Sequence, residues 1–296
     1  GSPTTTANGD SYANAMSSDG NWVVYTSLAT NIIGGLSDGN AARDAYLFDR
    51  SSGTATLVSR ALGAAGTAAN NPSYARSVSA DGMWVLYSSD ATNLISGLTD
   101  NNVATDVFLF NRGSGTSQLV SRTSGSATTV ANNISSSFAL SADGNRVLFS
   151  SYATNLVSGV TDGNGTTDIF LFDRVSGTNS LVSRTQASPL NAANNRSTPV
   201  ALSADGNRVL FGTTATNIVT GGSDGNGGED VFLFDAGTAA TTLISRASSA
   251  ATTPANGAAT AGSMDASGNW IAYPSLATDG VAGVTDLNLA NDVFDF

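Results

Sequence analysis

The chain has 296 residues, of which 41% are hydrophobic and only 12% charged, and its 23 acidic and 12 basic residues leave a formal charge of -11. Every basic residue is Arg, Glu229 is the sole Glu, and Cys, His and Lys are absent. Those absences exclude a disulfide framework, thiol or imidazole metal sites and most nucleophile–base pairs. The acidic balance argues against nucleic acid as a partner, and the dominance of Asp, a turn and cap former, argues against helix. Oxygen ligands remain, and these suit a hard cation such as Ca2+. No apolar run approaches the roughly 20 residues of a membrane span, so no membrane insertion is expected. The opening Gly1-Ser2 reads as an expression scar, and the chain as a mature or excised piece of a longer, multidomain protein.

One unit of 62 residues recurs without insertion or deletion. Its turn glycines are Gly20, Gly82, Gly144, Gly206 and Gly268. The copies run approximately 8–69, 70–131, 132–193, 194–255 and 256–296, as one domain. In chain order each unit opens with a small-residue strand: Tyr12 to Ser17, Tyr74 to Ser79, Ser136 to Ser141, Thr198 to Ser203 and Thr260 to Met264. An Asp-Gly hairpin turn follows, then a strand of alternating apolar residues, Arg146 to Ser151 in the third copy. A long loop, about Tyr152 to Thr167, leads to a third strand, Asp168 to Asp173. A Ser-Gly-Thr turn leads to a fourth, Ser180 to Arg184.

Four short antiparallel strands per repeat predict a propeller blade, and five repeats predict an all-β five-bladed β-propeller. The small opening strands are expected to line its centre, and the bulky second and third strands to press blade against blade. A β-helix is the alternative, but its coils are usually shorter than this repeat. The last copy lacks the Leu-Val-Ser-Arg segment, so a three-stranded fifth blade is expected, or one patched by Pro3 to Ala7.

The run Ser203 to Phe211, then Asp230 to Asp235 and Leu243 to Arg246, resembles the WD-like repeat of TolB-type bacterial propellers. The resemblance covers essentially the whole chain and implies a bacterial envelope or extracellular setting and a binding or scaffolding role. Two features depart from that pattern: Ala or Ser replaces its Pro, and the loop between strands two and three is enlarged.

That enlarged loop carries the recurring chemistry, an Asp-x-Asn-x-x-x-Asp pattern. The copies are Asp38, Asn40 and Asp44; Asp100, Asn102 and Asp106; Asp162, Asn164 and Asp168; Asp224, Asn226 and Asp230; and Asp286, Asn288 and Asp292. Oxygen side chains at positions one, three and seven fit a calcium loop, with a carbonyl at position five, where the residue type varies. About one Ca2+ per blade is expected. Asn31, Asn93, Asn155, Asn217 and Asp279 recur upstream, as further ligands or as loop-ordering residues. The competing reading is a set of Asx-turns with no ion.

Other recurrent residues read as structural. Arg60, Arg122, Arg184 and Arg246 are expected to pair with nearby carboxylates. Asn8, Asn70, Asn132, Asn194 and Asn256 are expected to bond a turn or a neighbouring blade. Trp22, Trp84 and Trp270 are expected to pack on sheet faces rather than serve as sugar platforms. The asymmetric residues Arg43, Arg76, Asp90, Tyr152, Arg196 and Glu229 form no evident catalytic dyad. The sequence therefore reads as a non-enzymatic, calcium-binding, extracellular, cell-surface or periplasmic module for structure, adhesion or protein interaction. Its partner is an unidentified protein or glycan at the cell surface. A calcium-dependent lectin is the alternative, followed by a glycoside hydrolase using two Asp residues.

Overall fold

The computed structural model describes residues 6–221, 224–286, 288 and 290–296. Among them there is no helix, and so none long and apolar enough to cross a membrane. Nineteen strands form five antiparallel sheets. The first holds β1 (Ser11–Met16), β2 (Trp22–Ser27), β3 (Asp44–Asp49) and β4 (Thr54–Leu57) in that order. The second holds β5 (Ser73–Val78), β6 (Trp84–Ser89), β7 (Asp106–Asn111) and β8 (Thr116–Leu119). The third holds β9 (Ser135–Leu140), β10 (Arg146–Ser151), β11 (Asp168–Asp173) and β12 (Thr178–Leu181). The fourth holds β13 (Ser197–Leu202), β14 (Arg208–Thr213), β15 (Asp230–Asp235) and β16 (Ala240–Leu243). The fifth has three strands, β17 (Ser263–Met264), β18 (Ile271–Ser275) and β19 (Asp292–Asp295). The fold is the all-β, five-bladed propeller class with an incomplete last blade.

By contacts the chain divides into two compact units. One comprises Gly1–Phe149, Ala153–Ser158 and Phe172–Asn179; the other comprises Ser150–Tyr152, Gly159–Leu171 and Ser180–Phe296. The first two sheets lie wholly in the first unit and the last two in the second.

The repeated Ser-x-Asp-Gly motif explains the first hairpin. Ser79 Oγ donates to Asp81 at 2.6 Å and accepts the Trp84 N–H at 2.9 Å, while the Gly82 N–H returns to the Ser79 carbonyl. Gly82 adopts φ +66°, which a residue without a Cβ reaches at little cost. In the last copy Asp265 replaces the serine and accepts the Trp270 N–H itself. The opening strands carry a bulge, between Ala13 and Ala15 in β1 and between Ala75 and Ser77 in β5. Their small side chains allow close approach, since Thr26 Oγ1 accepts the Ala75 N–H at 3.0 Å.

The third strands of the first four sheets are buried on both faces. Val24, Ala45 and Leu47 of the first sheet share a core cluster with Val85, Tyr87, Phe108 and Phe110 of the second. Leu210, Val231 and Leu233 pack likewise with Ile271 and Tyr273. Each such side chain contributes roughly 1.5–3 kcal/mol on burial. Cross-strand aromatic pairs recur at one register. Tyr25–Tyr46, Tyr87–Phe108, Phe211–Phe232 and Tyr273–Phe294 stack with centroids 5.4, 5.6, 5.6 and 5.7 Å apart.

Three expectations change. The opening strands begin one residue earlier than read, and the fifth is cut to Ser263–Met264. The fourth strands end at Leu57, Leu119, Leu181 and Leu243 rather than at Arg, because the serine two residues on turns its hydroxyl back to the third strand. The four arginines do not pair with carboxylates. Arg60, Arg122, Arg184 and Arg246 lie instead over the rings of Phe110, Phe172, Phe234 and Phe296, at 4.6, 5.1, 5.0 and 5.2 Å. An aromatic face attracts the cation without taking it fully out of water. The ion pairs formed among the described residues are Arg146–Asp173 and Arg208–Asp235. Of the segment read as a patch for the last blade, Pro3, Thr4 and Thr5 lie outside the described residues. So do Ser223 and Leu287 of the acidic loops.

Candidate functional site

Each acidic loop sits between the second and third strands of its blade, and its last Asp is the first residue of the third strand. In the first copy Asp38 Oδ1 accepts the N–H groups of Asn40 and Ala41, both at 3.2 Å. Asn40 Oδ1 accepts the Ala42 N–H at 2.6 Å, and its Nδ2 donates to the Ala69 carbonyl at 2.6 Å. The asparagine therefore fastens the loop to the segment that enters the next repeat. Asn102, Asn164 and Asn226 make the same bond to Ala131, Ala193 and Ala255, at 2.8, 2.6 and 2.7 Å. Asn288 Oδ1 accepts the Ala290 N–H at 2.8 Å.

The last Asp is the distinctive group. Asp44, Asp106, Asp168 and Asp230 are all buried. Their Oδ1 atoms accept hydroxyl bonds from Ser59, Ser121, Ser183 and Ser245 at 2.9, 2.9, 2.7 and 3.0 Å. The same hydroxyls accept the N–H groups of Ala45, Val107, Ile169 and Val231. These serines went unread as site residues, although their signal was present in the constant Ser of Leu-Val-Ser-Arg. Burial pushes each of the four carboxyls up to about 7, against the lowering effect of its serine, and the neighbouring Asp38, Asp100, Asp162 or Asp224 adds like-charge repulsion. Neither ion pair of the described residues involves these carboxylates.

In the first four loops the strand Asp stands near the loop's first Asp, and the asparagine turns its amide nitrogen toward it, with Asn164 Nδ2 3.4 Å from Asp168 Oδ2. Asp38 Oδ2 accepts no hydrogen bond among the described residues, nor does Asp100 Oδ2. No three acidic side chains converge there, so an ion would take its remaining ligands from neutral oxygens. Asp292 of the fifth loop is only half-buried, and among the described residues no fourth strand pairs with β19.

The upstream residues have a defined job. Asn31 Oδ1 accepts the Asn8 N–H at 2.9 Å, while Asn8 Oδ1 accepts the Thr30 N–H at 2.9 Å. Asn93 with Asn70, Asn155 with Asn132, Asn217 with Asn194 and Asp279 with Asn256 repeat the first bond at 2.8–3.0 Å. These five order the loop that leaves the second strand, against the entry to the first.

The asymmetric residues are engaged locally. Arg43 lies over Tyr12, and Arg76 lies over Phe138 with its Nε on the Phe138 carbonyl. Asp90 accepts the Thr105 hydroxyl at 2.6 Å. Burial raises the Glu229 carboxyl, and nearby Arg196 opposes that rise.

Fold and loops together define the class, a β-propeller-class repeat protein with one two-carboxylate loop per blade. No protein-family model matches the chain, and no curated protein is similar to it in sequence. Among solved structures it is similar to a putative TolB from Agrobacterium tumefaciens, with a TM-score of 0.41 and 16% identity over 77% of this chain and 62% of that one. It is also similar to a prolyl endopeptidase, with a TM-score of 0.48 and 12% identity over 91% of this chain and 32% of that one. Prolyl oligopeptidase B from Galerina marginata gives a TM-score of 0.41 and 10% identity over 90% and 33%. The chain spans less than two thirds of the length of each. At these scores the fold assignment rests on the chain's own strands.

Proposed function

We propose that the chain is a non-enzymatic, calcium-binding β-propeller that acts as a structural or protein-interaction module outside the cytoplasm. The observation that carries the reading is the buried carboxylate repeated at Asp44, Asp106, Asp168 and Asp230, each beside a second aspartate and none in an ion pair. A buried charge is costly unless an opposite charge meets it. A hard divalent cation, bound by Asp38, Asn40 and Asp44 and their counterparts, would supply that charge at every blade. Ca2+ suits the set better than Mg2+, which keeps more of its water. Ions at all five loops would also offset most of the -11 charge.

The non-enzymatic part rests on the missing His, Cys and Lys and on the local engagement of the asymmetric residues. A glycan-binding reading has less support, because Trp22 and Trp84 each have a ring face covered by Arg112 or Arg174, whereas Trp270, also expected to pack on a sheet face, is 67% exposed. The placement outside the cytoplasm is drawn from the TolB-type repeat and from the millimolar calcium that extracellular modules commonly meet.

Thermal unfolding in EDTA and in excess Ca2+, with calorimetric counting of ions, tests the reading. Saturation at a hundred times Kd adds about 2.7 kcal/mol per ion, so several sites should produce a large rise in Tm. An unchanged Tm and no heat of binding would leave the loops as Asx-turns alone.

A further inference from the structure

The chain has 12 arginines, and most hold repeat positions with fixed partners. Arg50, Arg112 and Arg174 donate to the carbonyls of turn glycines. Arg60 and its counterparts lie over phenylalanines, and Arg146 and Arg208 pair with Asp173 and Asp235. Arg43, Arg76 and Arg196 belong to none of these sets. Arg43 and Arg76 lie in the first compact unit, and both attach to its opening strands.

Arg76 stands on β5 where the register with β6 shifts between Ala75 and Ser77, and it has no cross-strand partner. Such a bulge re-aims the side chain of its extra residue. Ser73 and Ala75 are buried, while Tyr74 and Arg76 are exposed on the other face of the strand. The same repeat position holds Asn14, Phe138, Val200 and Gly262, all uncharged. The Arg76 guanidinium lies 5.2 Å from the centre of the Phe138 ring, and its Nε donates to the Phe138 carbonyl at 2.9 Å. Arg43 is fixed in a similar way. Its carbonyl accepts the Ser73 N–H at 2.7 Å, next to Tyr74, and its guanidinium lies 5.3 Å from the centre of the Tyr12 ring. A ring beneath a guanidinium holds the cation and leaves the N–H fork to meet a planar anion. Neither arginine is in an ion pair among the described residues. Asp10 and Asp90, carboxylates of the same segments, bond the Tyr12 and Thr105 hydroxyls instead. Tyr74 is 40% exposed and offers its ring for stacking.

We propose that Arg43, Tyr74 and Arg76 bind a short acidic oligosaccharide, with uronate carboxylates on the arginines and a sugar face on the Tyr74 ring. Charge sets the sign of the ligand. Two cations without carboxylate partners select an anion by local contact, while a chain of formal charge -11 repels a long polyanion. The backbone argues against a peptide. Ala75 donates its N–H to Thr26 Oγ1 at 3.0 Å, and Ser137 donates its N–H to Ser88 Oγ at 3.2 Å, so a guest strand has no free ladder to join. A peptide anchor also needs an apolar pocket. The cavity of about 470 Å³ in this unit is walled by Arg122, Leu156 and Asn179 and includes none of the three binding residues. The patch uses no tryptophan and no bound ion, which separates it from a calcium-dependent lectin. The inference goes beyond the structural-module reading and holds whether or not the loops bind calcium.

The test titrates the chain by calorimetry with a hyaluronan hexasaccharide and with its carboxyl-reduced, uncharged form, in Ca2+ and again in EDTA. Saturable binding of the acidic form alone is expected, with the same affinity in both buffers. Arg43→Gln and Arg76→Gln should each weaken binding at least about tenfold, the loss of one charge-assisted contact. Tyr74→Ala should weaken it and Tyr74→Phe should not. Melting curves of the four variants show that each is folded at the titration temperature. Equal binding of the uncharged sugar, full affinity in both arginine variants, or no binding at millimolar sugar would overturn the proposal. Binding lost in EDTA while the fold persists would also overturn it, because an ion would then bridge the sugar. Equal affinity for hexaglutamate would do the same, because the patch would then read charge alone. If EDTA unfolds the chain, the arginine variants in Ca2+ decide.

Discussion

The Arg112 guanidinium lies 4.1 Å from the centre of the Trp22 ring and donates through Nε to the Gly82 carbonyl at 2.9 Å. The indole of one repeat is thus held between the turn glycine and an arginine of the next. A Cβ on Gly82 would meet the Trp22 ring at 2.2 Å. Arg174, Trp84 and Gly144 repeat the arrangement, with the arginine at 4.0 Å. Gly20 has the same left-handed backbone, but a Cβ there would meet only Arg50 at 3.3 Å. Gly82→Ala should therefore cost about 3 kcal/mol, from backbone strain and a displaced indole. Gly20→Ala should cost only the strain, about 1–2 kcal/mol. Urea unfolding of the two variants checks this, and equal losses would mean that the indole does not fix the turn.

The arginines that close each fourth strand make a second, separable prediction. Arg60 lies over the Phe110 ring rather than beside a carboxylate. Arg60→Met should lower stability by about 0.5–2 kcal/mol. Because a ring has no net charge for salt to screen, most of that loss should persist in molar salt, where a surface ion pair would fade. Unfolding at low and high ionic strength distinguishes the two. A loss that vanishes with salt would restore the carboxylate partner.

The same contrast shows what the sequence made legible and what it did not. Strand number and order followed from periodicity, because a repeat without insertions places every turn glycine and every apolar run at the same offset. The loops could be read as two carboxylates and an amide because the filler between them drifts. The partners of Arg60 and Arg112 lie about 50 and 90 residues away, on neighbouring repeats, and no local spacing reveals them. Ser59 was visible as a constant residue, but its role depends on a bond across 15 positions to Asp44. That bond exists only once the fourth strand has folded against the third.

Ser121→Ala and Asp106→Asn separate architecture from ion binding. Ser121 is buried, and its hydroxyl serves both Asp106 and the Val107 N–H. Its removal should cost about 1–3 kcal/mol with or without calcium, because it strands a buried donor and acceptor. Asp106→Asn removes a buried charge that lacks an ion pair. In EDTA at pH 8 it should leave stability unchanged or raised, and in Ca2+ it should lower the calorimetric ion count by one. If Asp106→Asn instead destabilises the EDTA form as much as Ser121→Ala does, the carboxylate is structural.

The raised carboxyls also set the sign of the pH response. Asp44, Asp106, Asp168 and Asp230 stand at about 7 in the folded chain, against about 3.9 when unfolded. Between those values the folded state holds protons that the unfolded state has released, so stability falls as pH rises. Their contribution is fully present below about pH 4 and lost above about pH 7. Asp49 and Asp265 act in the opposite sense, held down to about 2 by hydroxyl and backbone donors, but they titrate below that window. In EDTA the Tm should therefore drop between pH 5 and pH 8. With Ca2+ present the slope should shrink or reverse, because the ion binds the deprotonated form and competes with the proton. Melting curves across that range in both buffers read the effect directly. A flat profile in EDTA would show that the four carboxylates remain hydrated in solution, and the case for a cation at their side would lose its physical basis.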